Sequence, residues 1–272
     1  EVRAIASGAL ATGDTVVVNS DGTVSVVAET TISDSVGSAA LFTTSHTGPT
    51  AAAYDTNAQR IVVAYRDDGD GGRGKLVVGE VSGGSISFGS VVQFRNAAVS
   101  YLTAVYDSNA QKVVVAWQDG GDSSRGYAVV TTVDNSNNSI SYGSNARFEL
   151  GSTTFIGLAY DSSAQKVVIA FTDAGNSNYG KAIVATVSGT SISYGTTVVF
   201  ASSSTQYSSP VYDANAGKIV IAYRDNTNGN GKAIVGTVSG TSISFGSAVV
   251  YYSSNGTYVS ATYDSDAQKV VI

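Results

Sequence analysis

Cysteine and methionine are both absent from this chain. Without cysteine there are no disulfides, no thiolate metal sites and no cysteine nucleophile. The two most readily oxidised side chains are missing together, which suits a protein that works outside a cell. Histidine occurs once, as His46, so a Ser-His-Asp arrangement would have a single base to draw on. Charged residues make up only 13% of the chain, and the net charge is −6. A nucleic-acid partner would need a basic stripe to replace counterions, and none is visible. No apolar run approaches the roughly 20 residues of a membrane-spanning helix. No signal-peptide pattern follows Glu1, and with methionine missing Glu1 is not expected to be the translation start. Proline occurs twice, at Pro49 and Pro210, each expected just ahead of a strand, where a missing N–H does little harm.

What is present is repetition. Tyr54-Asp-Thr-Asn-Ala-Gln-Arg-Ile-Val-Val-Ala-Tyr65 returns as Tyr106-Asp-Ser-Asn-Ala-Gln-Lys-Val-Val-Val-Ala-Trp117. It returns again as Tyr160-Asp-Ser-Ser-Ala-Gln-Lys-Val-Val-Ile-Ala-Phe171 and Tyr212-Asp-Ala-Asn-Ala-Gly-Lys-Ile-Val-Ile-Ala-Tyr223, and a fifth copy opens at Tyr263. The starts lie 52, 54, 52 and 51 residues apart. A fixed period near 50 residues marks a repeat architecture.

One repeat parses into four strands. Residues 50–54 form a short first strand, and residues 55–59 a turn in which Asp and Asn can bind nearby backbone N–H groups. Residues 60–66 form a second strand, and residues 67–73 a Gly/Asp loop. Residues 74–81 form a third strand, and after a tight turn residues 86–94 form a fourth, broken at Gly89. β-Branched and aromatic residues dominate each strand, and no stretch has a 3.6-residue apolar period. The expected fold is therefore all-β, a β-propeller of four-stranded antiparallel blades at kelch repeat length. Its units lie near residues 50–101, 102–155, 156–207 and 208–257, with a partial unit at 258–272. The chain is expected to continue beyond Ile272, because an isolated strand pair is marginal in water. Recurring aromatics, among them Tyr65, Trp117, Phe171 and Tyr223, and Phe94, Phe148, Phe200 and Tyr251, are expected to pack between units.

Residues 1–32 stand outside the repeat. Two β-rich runs flank Asn19-Ser-Asp-Gly22, a hairpin signal, so this segment reads as a short β arm. The repeat region spans 33–272. It begins with a last-type strand, since Gly37-Ser-Ala-Ala-Leu-Phe42 parallels Gly246-Ser-Ala-Val-Val-Tyr251.

Candidate chemistry is sparse. Asp55, Asp107, Asp161 and Asp213, each after the repeated Tyr54, Tyr106, Tyr160 and Tyr212, occupy one turn position and are expected to be structural. The loop after the second strand offers Asp67, Asp68 and Asp70 as hard oxygen ligands for calcium. Carboxylates thin to one in the third and fourth copies, and no distal glutamate follows. The competing expectation is a turn held by the first Asp side chain, with Gly supplying positive φ. The Asp-x-Gly cores at 67–69, 119–121 and 173–175 resemble the Asp-box of sialidase-type propellers. The Ser or Thr two positions earlier is absent, so sialidase activity is not implied. Glu80, Arg95, Arg147 and Glu149 are non-repeated charges, expected to be solvated. Asn137-Asn-Ser139 and Asn255-Gly-Thr257 match the glycosylation acceptor pattern. No catalytic constellation assembles, and no cofactor is expected unless calcium binds.

The repeat, with Ala233-Ile-Val-Gly-Thr-Val-Ser-Gly-Thr-Ser-Ile-Ser-Phe-Gly246 as its second half, resembles tandem repeats in large virion-associated proteins of marine tailed phages. The segment Ala9-Leu-Ala-Thr-Gly-Asp-Thr-Val-Val-Val-Asn-Ser-Asp-Gly-Thr-Val24 is similar to N-terminal parts of phage structural and tail-fibre proteins. The resemblance covers about residues 33–272 for the repeats and carries over no functional residue. It implies a virion surface or extracellular location, other virion proteins as partners, a fibre or appendage that is oligomeric, and a host receptor or surface glycan as ligand. The alternatives are a glycan-degrading enzyme on the same scaffold and a purely architectural spacer or decoration protein.

Overall fold

The computed structural model describes residues 5–6, 8–10, 16–21, 23–26 and 37–272. They fall into two compact units, Glu1–Gly37 and Ser38–Ile272. In the first, β1 (Ile5–Ala6) pairs in parallel with β3 (Thr23–Val26), and β2 (Val16–Val18) pairs antiparallel with β3. The β2–β3 hairpin is the one expected. Asn19 N–H donates to Thr23 C=O at 2.8 Å, and Asp21 Oδ1 accepts from Thr23 N–H at 2.9 Å. Gly13, Gly22 and residues 33–36 lie outside the described residues.

The second unit is all-β and antiparallel. Repeat one holds β4 (Thr47–Asp55), β5 (Arg60–Asp67), a 3-10 turn (Asp68–Asp70), β6 (Arg73–Ser82), β7 (Ser85–Phe88) and the start of β8 (Val92–Asp107). Repeat two holds the end of β8, then β9 (Lys112–Asp119), β10 (Arg125–Asp134), β11 (Ser139–Tyr142) and the start of β12 (Ala146–Asp161). Repeat three continues with β13 (Lys166–Asp173), β14 (Tyr179–Ser188), β15 (Ser191–Tyr194) and β16 (Val198–Asp213). Repeat four adds β17 (Lys218–Asp225), β18 (Asn230–Ser239), β19 (Ser242–Phe245) and β20 (Val249–Tyr252). A short pair, β21 (Thr262–Asp264) and β22 (Lys269–Val271), follows.

The fourth strand of each repeat is split. In repeat two, the end of β10 pairs with β11 and its beginning with β12, on either side of Gly143. The expected break at Gly89 is thus real and recurs. The boundary expected before the next first strand is absent. β8, β12 and β16 are each 16 residues long and pass straight from the fourth strand of one repeat into the first strand of the next. Pro210 consequently sits inside β16, paired with Ile221. That stretch pairs on one side only, so the missing donor costs no ladder bond.

The core lies between repeats. One cluster joins Val62, Ala64, Leu76 and Val78 of repeat one to Val113, Val115 and Trp117 of repeat two. Equivalent clusters join repeats two and three, and three and four. Second and third strands are covered on both faces, so they read as continuous apolar runs and not as alternation. The aromatics pack as expected. Phe94 meets Trp117 at 4.9 Å, Phe148 meets Phe171 at 5.3 Å and Phe200 meets Tyr223 at 5.2 Å between ring centres. Phe42 meets Tyr65 at 5.1 Å in the same manner, so the segment before repeat one takes the place of a preceding fourth strand.

The repeated Tyr-Asp pair is a turn and a clasp. Asp107 Oδ1 accepts from Asn109 N–H at 3.0 Å and Ala110 N–H at 2.9 Å, and the other four copies do the same. The tyrosine of the next repeat closes over that turn. Tyr106 Oη accepts from Asn57 N–H at 3.2 Å, Tyr160 Oη from Asn109 N–H at 3.1 Å, and Tyr212 Oη lies 2.5 Å from Ser163 Oγ. The structural expectation fits this geometry for Asp55, Asp107, Asp161, Asp213, Tyr106, Tyr160 and Tyr212, whereas Tyr54, in the first repeat, is 53% exposed.

Candidate binding groove

Each passage into a first strand contains a bulge. The ladder slips between Ser100 and Thr103, between Thr154 and Gly157, and between Gln206 and Ser209. The first extra residue is aromatic and left-handed: Tyr101 at φ 49°, Phe155 at 50° and Tyr207 at 55°. Tyr258 repeats this at 60°. Bulky side chains rarely adopt positive φ, and each instance costs about 1–3 kcal/mol. The second extra residue, Leu102, Ile156 or Ser208, is buried. The bulge therefore sends one side chain into the core and turns an aromatic outwards. Repeat one has Pro49 here, whose ring excludes positive φ.

These rings form a ladder across successive repeats. Tyr101 and Phe155 lie 5.1 Å apart, Phe155 and Tyr207 4.9 Å, and Tyr207 and Tyr258 5.2 Å. They border a groove of about 560 Å³ that runs along the first strands. No charged side chain lines it. Gly157 makes the close approach of β12 and β16 possible, since a Cβ there would lie 2.3 Å from Pro210 Cδ. Ser209 Oγ accepts from Ala261 N–H at 2.9 Å. The Ser208 hydroxyl is buried and has no hydrogen-bond partner among the described residues. Sequence reasoning passed over this site. Its visible signal is an aromatic five residues before each of Tyr106, Tyr160, Tyr212 and Tyr263.

The loops after the second strands are built for structure. Asp119, Asp173 and Asp225 are buried, and each accepts from the backbone N–H two residues on at 2.9–3.0 Å. Their second oxygens meet Arg95 at 2.8 Å, Lys181 at 2.5 Å and Lys232 at 2.7 Å. Glycine supplies positive φ in the first and fourth loops, at Gly71, Gly72 and Gly229. In the second and third, Ser123-Ser124 and Ser177-Asn178 take that conformation instead.

The calcium candidates face cations. Asp67 meets Lys75 at 2.8 Å, Asp70 meets Lys75 at 2.8 Å and also Arg73, and Asp68 meets Arg66 at 2.5 Å and His46 at 3.3 Å. Among the described residues no cluster of three or more acidic or histidine side chains is arranged to hold a metal ion. The Lys75 ammonium holds the Asp67 and Asp70 carboxyls below the ordinary aspartate value of 3.8, and the Arg66 guanidinium does the same for Asp68. A depressed carboxyl contributes stability that is present above its unfolded value and lost as pH falls through its folded one. The urea midpoint should therefore stay level down to about pH 5 and fall below about pH 4. Asp67→Asn should flatten that acid limb, and an unchanged limb would exclude this pair as its source.

The non-repeated charges are all paired; Glu149 is largely withdrawn from solvent, contrary to expectation, while Glu80 and Arg147 keep 38% and 40% of their side chains exposed. Arg60 and Glu80 pair at 2.9 Å, and Glu80 accepts from Asn138 Nδ2 of the next repeat at 2.8 Å. Arg95 of repeat one reaches Asp119 of repeat two, and Glu149 of repeat two lies 3.7 Å from Lys181 of repeat three. Arg147 lies 3.6 Å from Asp122. Three of these four charges latch one repeat to the next, Glu80 and Arg95 between repeats one and two and Glu149 between two and three, through partners 24 to 58 positions away in the chain.

No helix among the described residues is long and apolar enough to cross a membrane. No protein-family model matches the chain, and no curated protein matches it.

Proposed function

We propose that this chain is a β-propeller-type repeat module on the surface of a phage virion, in a fibre or appendage, where it binds a host receptor or surface glycan. Four antiparallel strands per repeat is the strand count of a propeller blade and supports this reading. The N-terminal three-stranded sheet serves attachment to other virion proteins, and the assembly is oligomeric. The observation that carries the binding role is the aromatic groove, in which strained side chains are kept partly in solvent. The scattered charges are engaged in latches, which favours binding over glycan hydrolysis by a carboxylate pair. Adding the purified chain to host cells challenged with the phage that encodes it should lower adsorption in proportion to its concentration. Unchanged adsorption at saturating chain would overturn the receptor role.

A purely architectural spacer is the second reading, favoured by the Asp turns and tyrosine clasps that serve cohesion alone. Under it, virions lacking the chain would adsorb normally and lose particle stability.

A further inference from the structure

We infer that the groove along the successive first strands binds a neutral glycan chain, stacking on Phe155 and Tyr207. The inference deepens the receptor reading and rests on it for its biological setting. Two observations carry it.

The first is the retained strain. Elsewhere the chain takes left-handed backbone at glycine, as at Gly83, Gly189, Gly217 and Gly240, or at small or polar residues such as Ser123, Asn178 and Gln111. At the bulge it places Tyr101, Phe155, Tyr207 and Tyr258 instead. Glycine would relieve the backbone, so the ring itself is what the position supplies. The second is the company the rings keep. The groove walls carry aromatic, aliphatic and hydroxyl side chains and no charge. Of the nearby cations, Arg66 pairs with Asp68, and Arg224 donates to Gln206, Asn226 and Asn255. Neither lines the groove, so an acidic ligand would find no cation in its walls. Apolar faces beside a few hydroxyls match a neutral sugar, whose ring has an apolar C–H face and a rim of hydroxyls. The ladder crosses four repeats, so the ligand is an oligosaccharide and not a single sugar.

The test is calorimetric titration of the whole 272-residue chain. The probes are maltohexaose, cellohexaose, laminarihexaose and xylohexaose, with hexagalacturonate as the acidic control. At least one neutral probe is expected to bind, and the acidic one to bind at least about tenfold more weakly. Phe155→Gly and Tyr207→Gly remove the rings while suiting the left-handed backbone, and should each cost about tenfold or more in affinity. Tyr54→Ala, outside the groove, should change nothing. No binding of any neutral probe, equal binding of the acidic probe, or affinity untouched by both groove variants would each overturn the inference. If the chain still blocks phage adsorption after such a failure, the receptor reading stands with another ligand. If a sugar binds as expected and adsorption is unaffected, the groove stands and the receptor reading falls.

Discussion

Gly195→Ala is expected to loosen the junction between repeats three and four, while Gly246→Ala, at the same position one repeat later, leaves stability unchanged. Both glycines sit at the split in a fourth strand, and both donate to the third strand of their own repeat. A Cβ on Gly195 would lie 1.7 Å from the backbone oxygen of Thr241, in the third-to-fourth-strand turn of the following repeat. Gly143 meets Thr190 O at 1.8 Å and Gly89 meets Asn138 O at 2.0 Å in the same way. On Gly246 the nearest atom is 3.9 Å away. The obstructing atom is backbone, held in a turn, so relief requires moving one repeat against another. Overpacking of this kind costs about 3 kcal/mol or more, against about 0.5 kcal/mol for an open surface site. Denaturant unfolding of the two variants measures the difference. Hydrogen exchange should show amides near Thr241 opening first in Gly195→Ala. Equal effects of the two substitutions would mean that the turn does not press on the split strand.

Trp117→Ala should be the most damaging single truncation, and Trp117→Phe should be mild. Trp117 is the largest fully buried side chain. It packs edge-on against Phe94 at 4.9 Å and is stacked with Tyr127 at 6.0 Å. Removing it opens a cavity at the junction of repeats one and two, costing about 3–5 kcal/mol. The indole N–H, however, is buried without a hydrogen-bond partner among the described residues. Phe171 fills the same place one repeat later, against Phe148. Phenylalanine loses some packing and sheds the unmatched donor, so the two effects offset to within about 1 kcal/mol. Urea midpoints followed by far-ultraviolet circular dichroism distinguish the outcomes. A phenylalanine variant as unstable as the alanine one would show that the indole has a partner after all.

The same comparison between repeats explains the last one. Val78, Val130 and Val184 are fully buried, whereas the equivalent Val235 is 48% exposed. Phe94, Phe148 and Phe200 are buried, whereas Tyr251 is 42% exposed. Identical positions differ only in whether another repeat lies against them, so burial here belongs to the junction and not to the residue type.

Sequence alone determined the period, the strand count, the Asp turn, the break at Gly89 and the kinship of Phe42 with Tyr251. Each depends on contacts within a few residues or on comparing copies in register. A turn whose acceptor lies two or three residues from its donors is complete within its own segment. Tertiary structure decided the rest. It merged fourth and first strands into single 16-residue strands and set Asp67, Asp68 and Asp70 against Lys75, Arg66 and Arg73. It drew Glu80, Arg95 and Glu149 into latches with the following repeat, and it placed Tyr101, Phe155 and Tyr207 in a left-handed ladder along one groove. The latches and the ladder join groups 24 to 58 positions apart in the chain, or depend on a backbone slip that a neighbouring strand imposes. The physical reason is that a repeat of this kind buries its faces only against its neighbours, and a sequence read along its length does not show which atoms two packed sheets bring together.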